Sequence, residues 1–253
     1  MINPRGTWTL FKRETWRYLK VYQQTVLAPV ISNILFLAVF GLSIQRTIPN
    51  TDLEYLQFLA PGLILMGIIN NAYQNPSSSM IIMKYQNLIE SLLMLPLRAS
   101  EKLLAFTASA VSRGLIVGLV TYLTVIFFVD LPYASVGIIV GSAVLISLFF
   151  GFLGLIVGIW GDEMDKLAMI QNFVLTPLIF LGGVFYPISA LPEAFAKVSQ
   201  LNPIVYMINL FRYGFTGFQE FPILPSFAIV TGCTVFVGVI AYLMLKRGYK
   251  LQS

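Results

Sequence analysis

Six long stretches that are free of charged side chains, or nearly so, dominate the sequence and limit what it can fold into. They cover residues 21–45, 55–83, 103–129, 131–161, 167–192 and 221–245, and Arg113 is the only charge inside any of them. A helix that crosses a membrane needs about 20 mostly apolar residues. The pattern therefore predicts six transmembrane helices, at 23–44, 57–79, 102–128, 136–160, 167–187 and 225–246.

Composition agrees with an all-α integral membrane protein. Only 11% of the residues are charged and 57% are hydrophobic, whereas a soluble domain carries about 25% charged residues. Histidine is absent and Cys233 is the single cysteine, which excludes disulfide frameworks and Cys/His metal sites. The first twenty residues are too charged for a cleavable signal peptide. We expect one domain spanning residues 1–253, with no nucleic-acid partner.

Lysine and arginine are distributed unevenly between the connecting segments. If both termini lie in the cytoplasm, twelve of these residues fall in cytoplasmic segments, and only Arg46, Lys197 and Arg212 fall in outer loops. Positively charged residues concentrate on the cytoplasmic side of membrane proteins. The sequence therefore predicts a multi-pass membrane protein with both termini in the cytoplasm and a very short first outer loop, 46–56.

Residues 1–22 form a predicted helix that does not span the membrane. Wound as a helix, one face carries aromatic and apolar side chains, and the opposite face carries Arg13, Arg17 and Lys20. The first face consists of Trp8, Phe11, Tyr18, Leu19 and Tyr22. This division suits a helix lying in the membrane interface with its basic groups toward anionic lipid. A simple basic flank whose aromatic residues join the interfacial belt is the alternative.

The segment 187–222 is too long for a tight turn and too apolar for a solvated loop. Pro192 can open a short helix, Asn202 and Pro203 interrupt it, and a second helical stretch follows through Arg212. We expect two short helices, within 188–216, that dip into the outer leaflet before the last span.

The segment KYQNLIESLLMLPLRASEKLLA, residues 84–105, interrupts the apolar runs with a short, charged, leucine-rich stretch. Pro96 disfavours helix at the residue before it, and Ser100 with Glu101 suits the start of the next helix. The pattern predicts a helix of about two turns at 86–95, on the cytoplasmic side. Spacing alone leaves two interpretations open, a helix resting on lipid and a helix seated in a groove of a cytoplasmic partner.

Three stretches resemble ABC-2 type transport permeases: 58–73 (FLAPGLILMGIINNAY), 87–105 (NLIESLLMLPLRASEKLLA) and 175–215, which begins LTPLIFLGGVFYP. The likeness is greatest to small bacterial exporters of lipo-oligosaccharides and drugs. It implies a subunit of the bacterial inner membrane that dimerises, whose short helix between the second and third spans couples to a separate ATP-binding cassette ATPase. The residues at that contact would be Glu90, Leu92, Leu93, Met94 and Pro96.

The same resemblance implies that ATP and Mg²⁺ are bound by the partner subunit, and that this chain carries no cofactor. The phosphate-binding pattern G-x-x-x-x-G-K-[ST] is absent from the sequence, in which no Gly-Lys pair occurs. The homodimer that we expect has a cavity on its two-fold axis between the first and fifth helices of the two copies. Gly41, Gly62 and Gly67 are small residues that let backbones approach at such an interface.

Several polar and aromatic side chains within the spans are candidates for a substrate path. Asn70, Asn71 and Tyr73 lie near the end of the second span, and Phe180 and Phe185 on the fifth. Each can instead serve packing between helices, where a hydrogen bond contributes about 0.6 kcal/mol. Arg113 is the candidate functional charge, because a guanidinium inside a membrane is costly; it can also extend toward the cytoplasmic face.

The function that we expect is export of an amphiphile, a lipid-linked saccharide or a hydrophobic drug, with energy from the ATPase partner. A secondary, ion-coupled transporter is the alternative, but such proteins bury ionisable residues near the midplane and often carry inverted repeats. A membrane-embedded enzyme needs convergent acids, bases or metal ligands. The acidic run GDEMDK at 161–166 is better interpreted as a solvated loop.

Overall fold

The computed structural model describes residues 3–43 and 53–250, and of residues 41–43 only the backbone. Most of the predicted first outer loop, with Arg46, lies outside these ranges. The packing around Gly41, expected at a dimer interface, also lies outside what the structure describes. Within them, six helical segments are long and apolar enough to cross a membrane. The prediction of six transmembrane helices and an all-α fold is confirmed.

An N-terminal helix precedes the first span. Helix α1 is Pro4–Leu19, and the first span joins a π-helical turn, Gln23–Leu27, to α2, Ala28–Ser43. The second span is α3, Tyr55–Tyr85, which at 31 residues runs six residues beyond its predicted end. A short helix, α4, Ile89–Met94, links it to the third span, α5, Ala99–Val125, and the fourth span is α6, Val136–Trp160.

The fifth span ends earlier than predicted. It consists of α7, Met164–Ile170, a second π-helical turn, Gln171–Leu175, and α8, Thr176–Leu181. The chain leaves the helix through Gly182 and Gly183, whose φ of +84° is readily available only to glycine. A 3₁₀ turn, Ile188–Ala190, then leads to α9, Glu193–Gln200, α10, Pro203–Thr216, and the last span, α11, Ile223–Arg247.

Helix α3 is the centre of the bundle. It packs against α2, α5, α6 and α10. In its most apolar 18-residue stretch 78% of the residues are buried, whereas the corresponding figure for the first span is 22%. Helix α6 approaches α3 most closely at Gly154 and Gly158, where a Cβ atom would lie 2.1 Å from the carbonyl oxygen of Tyr73 and 2.9 Å from that of Ser77. Small residues four apart allow this approach of two backbones.

Gly62 and Gly67 pack against other parts of the same protomer. They were expected at a dimer interface instead. A Cβ at Gly62 would lie 3.0 Å from the carbonyl oxygen of Val184, and one at Gly67 would lie 3.2 Å from the side-chain nitrogen of Asn33. The two glycines therefore bring the end of the fifth span and the first span onto α3.

The two ends of the bundle differ in charge. Helix α4, the start of α5 and the end of α11 lie at one end, which we call the basic end. Twelve of the described lysine and arginine residues lie at this end, on α1 or, as Lys20, directly after α1. At the opposite end the described residues contribute Lys197 and Arg212, and the latter is buried.

Candidate functional site

Helix α4 is held at the basic end by a tight connection to α3. Asn87 adopts a left-handed conformation with φ of +56°, which asparagine tolerates better than most residues. Leu95 is extended ahead of Pro96, with ψ of 134°, and this ends the helix. The helix is therefore present, but at six residues it is shorter than the predicted 86–95.

The two faces of α4 have different surroundings. Ile89 and Leu92 are buried in an apolar cluster with Leu10 of α1 and Phe106 of α5. Leu93 is half-buried, while Glu90, Met94 and Pro96 are exposed. Leu92 differs from the expectation that it lies at a partner contact, because at 2% exposure its side chain packs inside the protomer. It fixes the position of the helix instead.

Large apolar side chains are exposed around α4. Tyr85 is 86% exposed and Met94 is 81% exposed, and Leu88 is partly exposed beside them. A neighbouring cavity of about 240 Å³ is lined by Ile81, Ile82, Tyr85, Gln86 and Met164. An exposed apolar patch at the end of a helical bundle is typical of an interaction surface.

The GDEMDK loop beside this patch is tied down by ion pairs. The carboxylate of Asp162 lies 3.3 Å from Lys84 Nζ, 3.2 Å from Lys166 Nζ and 3.7 Å from Lys250 Nζ. The Lys166 ammonium, with Lys84 assisting, holds the pKa of Asp162 below its ordinary value. The acidic side chains of the loop are exposed, as expected of a solvated loop, and Asp162 in addition pairs with lysines of α3, of α7 and of the segment after α11.

Arg113 is buried and paired with amide side chains of α3. Its Nε donates to Asn71 Oδ1 at 3.1 Å and its Nη2 to Gln74 Oε1 at 2.9 Å. Asn71 in turn donates to the Gly67 carbonyl at 3.0 Å. The guanidinium therefore does not extend to the cytoplasmic face, since two side-chain oxygens of the neighbouring helix satisfy it where it lies.

Helix α1 is docked on α3 and α5 through a face that the sequence did not indicate. Glu14, fully buried, accepts from Arg13 and Arg17 at 2.8 and 3.2 Å. Arg17 also donates to the carbonyl oxygen of Asn75 at 2.6 Å, and Tyr18 is hydrogen-bonded to Ser112. The predicted division of α1 into aromatic and basic faces is therefore wrong at Tyr18 and Arg17, which both turn toward the bundle.

Two of the expected path residues lie inside the protomer. Tyr73 is fully buried, with its hydroxyl 3.5 Å from the Leu167 carbonyl oxygen, and Asn71 is 3% exposed and hydrogen-bonded as described. Both serve packing here, the alternative role. Asn70 is half-buried, and its side-chain oxygen has no hydrogen-bond partner in the part of the chain that the structure describes.

Aromatic residues at the end of the fifth span and just after it lie beside the first span. Phe185, expected on the fifth helix, follows Leu181, where that span ends. The ring of Phe185 lies 5.0 Å from Phe40, 5.7 Å from Phe36 and 5.2 Å from Phe180, measured between centroids. Phe180 is partly exposed. These rings form a continuous aromatic surface across the two spans at the end of the bundle opposite to α4.

The irregular backbone after the fifth span is satisfied by buried polar side chains. Arg212 donates to the carbonyl oxygens of Phe58 at 3.1 Å and Gly183 at 2.7 Å, and its guanidinium carbon lies 3.6 Å from the centroid of the Phe58 ring. The Glu220 carboxylate accepts from the Ile188 N–H at 3.0 Å. Non-helical backbone at membrane depth requires such partners. Arg212, which the charge count placed in an outer loop, is thus buried in α10.

These features define a polytopic helical membrane protein with a short helix at its basic end. Its fifth span is followed by a non-helical segment whose backbone is hydrogen-bonded by buried side chains. Residues 5–216 match the model of the family "ABC-2 type transporter", and the chain belongs to that family. It is therefore a multi-pass membrane subunit of a transporter.

Relatives extend over nearly the whole chain. "Inner membrane transport permease YadH" of Escherichia coli strain K12 is 36% identical over 246 residues, covering 97% of this chain and 96% of the relative. "Nodulation protein J" of Sinorhizobium fredii is 25% identical over 212 residues, covering 83% of this chain and 81% of the relative. The protein resides in the inner membrane, like the first of these relatives.

Proposed function

We propose that this chain is the permease subunit of an ABC exporter, which moves an amphiphilic substrate outward across the inner membrane. The substrate is a lipid-linked saccharide or a hydrophobic drug. ATP and Mg²⁺ are bound by a separate ATP-binding cassette subunit, and the chain itself is not an enzyme. Membership of the ABC-2 family supports the ATPase partner, because transporters of this kind combine a membrane subunit with that motor.

The observation that carries the proposal is the arrangement of α4. Its inner face is fixed by Ile89 and Leu92, whereas Glu90 and Met94 are exposed next to Tyr85. Because α4 is anchored on its inner side, a partner that displaces its outer side also displaces α3 and α5, the helices that flank it in the chain. With both termini in the cytoplasm, this surface faces the compartment that holds the ATPase.

The assembly is a homodimer in which the first and fifth spans of the two copies face each other. In the most apolar 18-residue stretch of each of these two spans, only 22% and 17% of the residues are buried within the protomer. The last span is equally exposed, but up to Leu245 its exposed side chains are apolar, whereas Gln24 and Asn172 expose amide side chains on the first and fifth. Lipid tails cannot satisfy such groups, so they favour a protein partner or a polar path.

The test is to coexpress the chain with a candidate ATP-binding cassette subunit from the same organism and to analyse the complex by native mass spectrometry and in proteoliposomes. We expect two permease chains with two ATPase subunits, and transport that requires ATP. A single permease chain with full activity, or a second, different permease chain in the complex, contradicts the homodimer. Transport driven by an ion gradient without the ATPase subunit contradicts the exporter and supports an ion-coupled carrier.

A further inference from the structure

A cavity of about 530 Å³ opens at the basic end between the start of α5 and the end of α11. Four basic residues line it, Arg98 and Lys102 from the α5 side and Lys246 and Arg247 from the α11 side. The two helices are far apart in sequence, so the fold alone brings these four charges around one space.

Lys102 is the most informative of the four. It is only 7% exposed, and its ammonium makes one long hydrogen bond, 3.4 Å to the carbonyl oxygen of Leu93. Across residues 3–43 and 53–250, no carboxylate lies within 4.0 Å of it. The Lys102 ammonium thus lines an open cavity without a counter-ion from the described part of the chain, and such a group is a favourable binding point for an anion from outside.

Glu101, the carboxylate next to Lys102 in the sequence, is hydrogen-bonded to backbone groups. Glu101 accepts from the backbone N–H of Arg98 at 2.7 Å and from that of Asn3. Its two oxygens therefore hold the N-terminus of α1 against the start of α5 and do not neutralise Lys102. Lys246 lies over the ring of Tyr242 at 6.0 Å, on the wall of the cavity.

The rest of the lining fits an amphiphile. Leu93, Leu97 and Leu245 supply apolar walls below the basic residues, and the site lies where α5 and α11 leave the apolar part of the bundle. Basic pockets between transmembrane helices at the cytoplasmic surface bind anionic lipid headgroups. A phosphate group with attached acyl chains matches both the charges and the walls.

We propose that this cavity binds the phosphate headgroup of an anionic phospholipid from the surrounding leaflet, with Lys102 as the central ligand. Arg98, Lys246 and Arg247 surround the same phosphate. Because Lys102 also contacts the Leu93 carbonyl of α4, the bound lipid joins the end of α11 to the short helix. The site is separate from the exposed surface at Glu90 and Met94, and binding does not depend on the ATPase partner.

The test compares lipid retention by the purified full chain. Native mass spectrometry with phosphatidylglycerol, phosphatidylcholine or inorganic phosphate is combined with thermal unfolding in the same mixtures. We expect phosphatidylglycerol to be retained and to raise the Tm, and phosphatidylcholine to do neither. Lys102→Met weakens phosphatidylglycerol binding about tenfold, the effect of one charge-assisted hydrogen bond.

Two further variants make the result decisive. Lys246→Gln/Arg247→Gln alters exposed side chains that do not affect packing, and we expect it to weaken binding as well. Lys12→Met removes an exposed lysine of α1 at the same end, and we expect no effect. Equal retention of both lipids, unchanged binding by Lys102→Met, or an identical Tm rise with inorganic phosphate alone would overturn the lipid site.

Discussion

Arg212 and Arg113 are both buried guanidinium groups, but their surroundings assign them different tasks. Arg212 donates to the Gly183 carbonyl at the break after the fifth span and to the Phe58 carbonyl of α3, and so ties the break to that helix. Arg113 donates to the side chains of Asn71 and Gln74. The sequence identified Arg113 because it interrupts an apolar stretch. It missed Arg212, which looked like a loop charge, although the run INLFRYGF around it is as apolar as a span.

Replacing Arg212 by methionine preserves much of the side-chain volume but leaves the carbonyls of Phe58 and Gly183 without this donor. Unpaired buried polar groups cost on the order of 2 kcal/mol, so we expect a lower Tm in detergent by thermal unfolding. Lys197→Met is the control, because Lys197 is an exposed residue of α9 whose ion pair, with Glu193 on the same helix, lies at the surface. Equal unfolding temperatures for the two variants would show that Arg212 does not hold the break.

At the scale of elements, contacts between helices decide most of what the sequence left open. Charge-free stretches were enough to find the spans, and Pro192, Asn202 and Pro203 were enough to place α9 and α10. The buried face of α1 was not predictable from amphipathicity, because the Glu14–Arg17 pair is satisfied by Asn75 and Ser78 of α3. The pattern Gly154-x-x-x-Gly158 was a signal in the sequence for the contact between α3 and α6, and it was overlooked.

That contact gives a prediction with a control on the same helix. In Gly154→Ala the new Cβ meets the Tyr73 carbonyl oxygen at 2.1 Å, so the helices must separate and the Tm falls. In Gly141→Ala nothing lies within 4 Å of the new atom, and we expect a Tm that is unchanged or slightly higher. If thermal unfolding in detergent does not distinguish the two variants, α3 and α6 are not packed this closely.

For α4, reversing the charge at Glu90 tests the coupling surface. Glu90 is exposed and lies apart from the buried pair Ile89 and Leu92, so Glu90→Arg leaves expression and Tm unchanged. We expect it to reduce copurification of the ATPase subunit and to abolish transport. Glu193→Arg, at the opposite end and 83% exposed, is the matched control. Normal capture and transport by Glu90→Arg would exclude a docking role for this residue.

At the scale of the whole molecule, the uneven charge of the bundle sets its expected orientation. The sequence predicted this asymmetry, and the structure gathers the same basic residues at one end. The sequence did not indicate how many of these basic residues form ion pairs or hydrogen bonds within the protomer. Lys84, Lys166 and Lys250 converge on Asp162, and Arg17 is drawn into the bundle. Such pairings depend on which helices meet, and no single segment encodes them.

Orientation is testable with single cysteines in a Cys233→Ser background. Ser91 of α4 and Glu193 of α9 are exposed at opposite ends, so a cysteine at either position reacts without disturbing packing. In intact cells a membrane-impermeant maleimide should label position 193 and not position 91, and in inverted vesicles the reverse. Labelling of position 91 from outside would mean that the bundle is inverted.

The first and fifth spans share one further feature, a π-helical turn followed by a proline two residues after its end. In each, the N–H five residues on bonds the carbonyl of the leading glutamine, Ala28 to Gln23 and Thr176 to Gln171. The wide turn holds one residue more than an α-turn, which offsets the two halves of the span by about 100° of rotation. In a regular α-helix a proline ring crowds the carbonyl four residues back and offers it no N–H, so Pro29 and Pro177 favour the wider turn that precedes them. Each of these spans therefore consists of two helical segments joined at a rotational offset, and its two halves present different residues to the same neighbour.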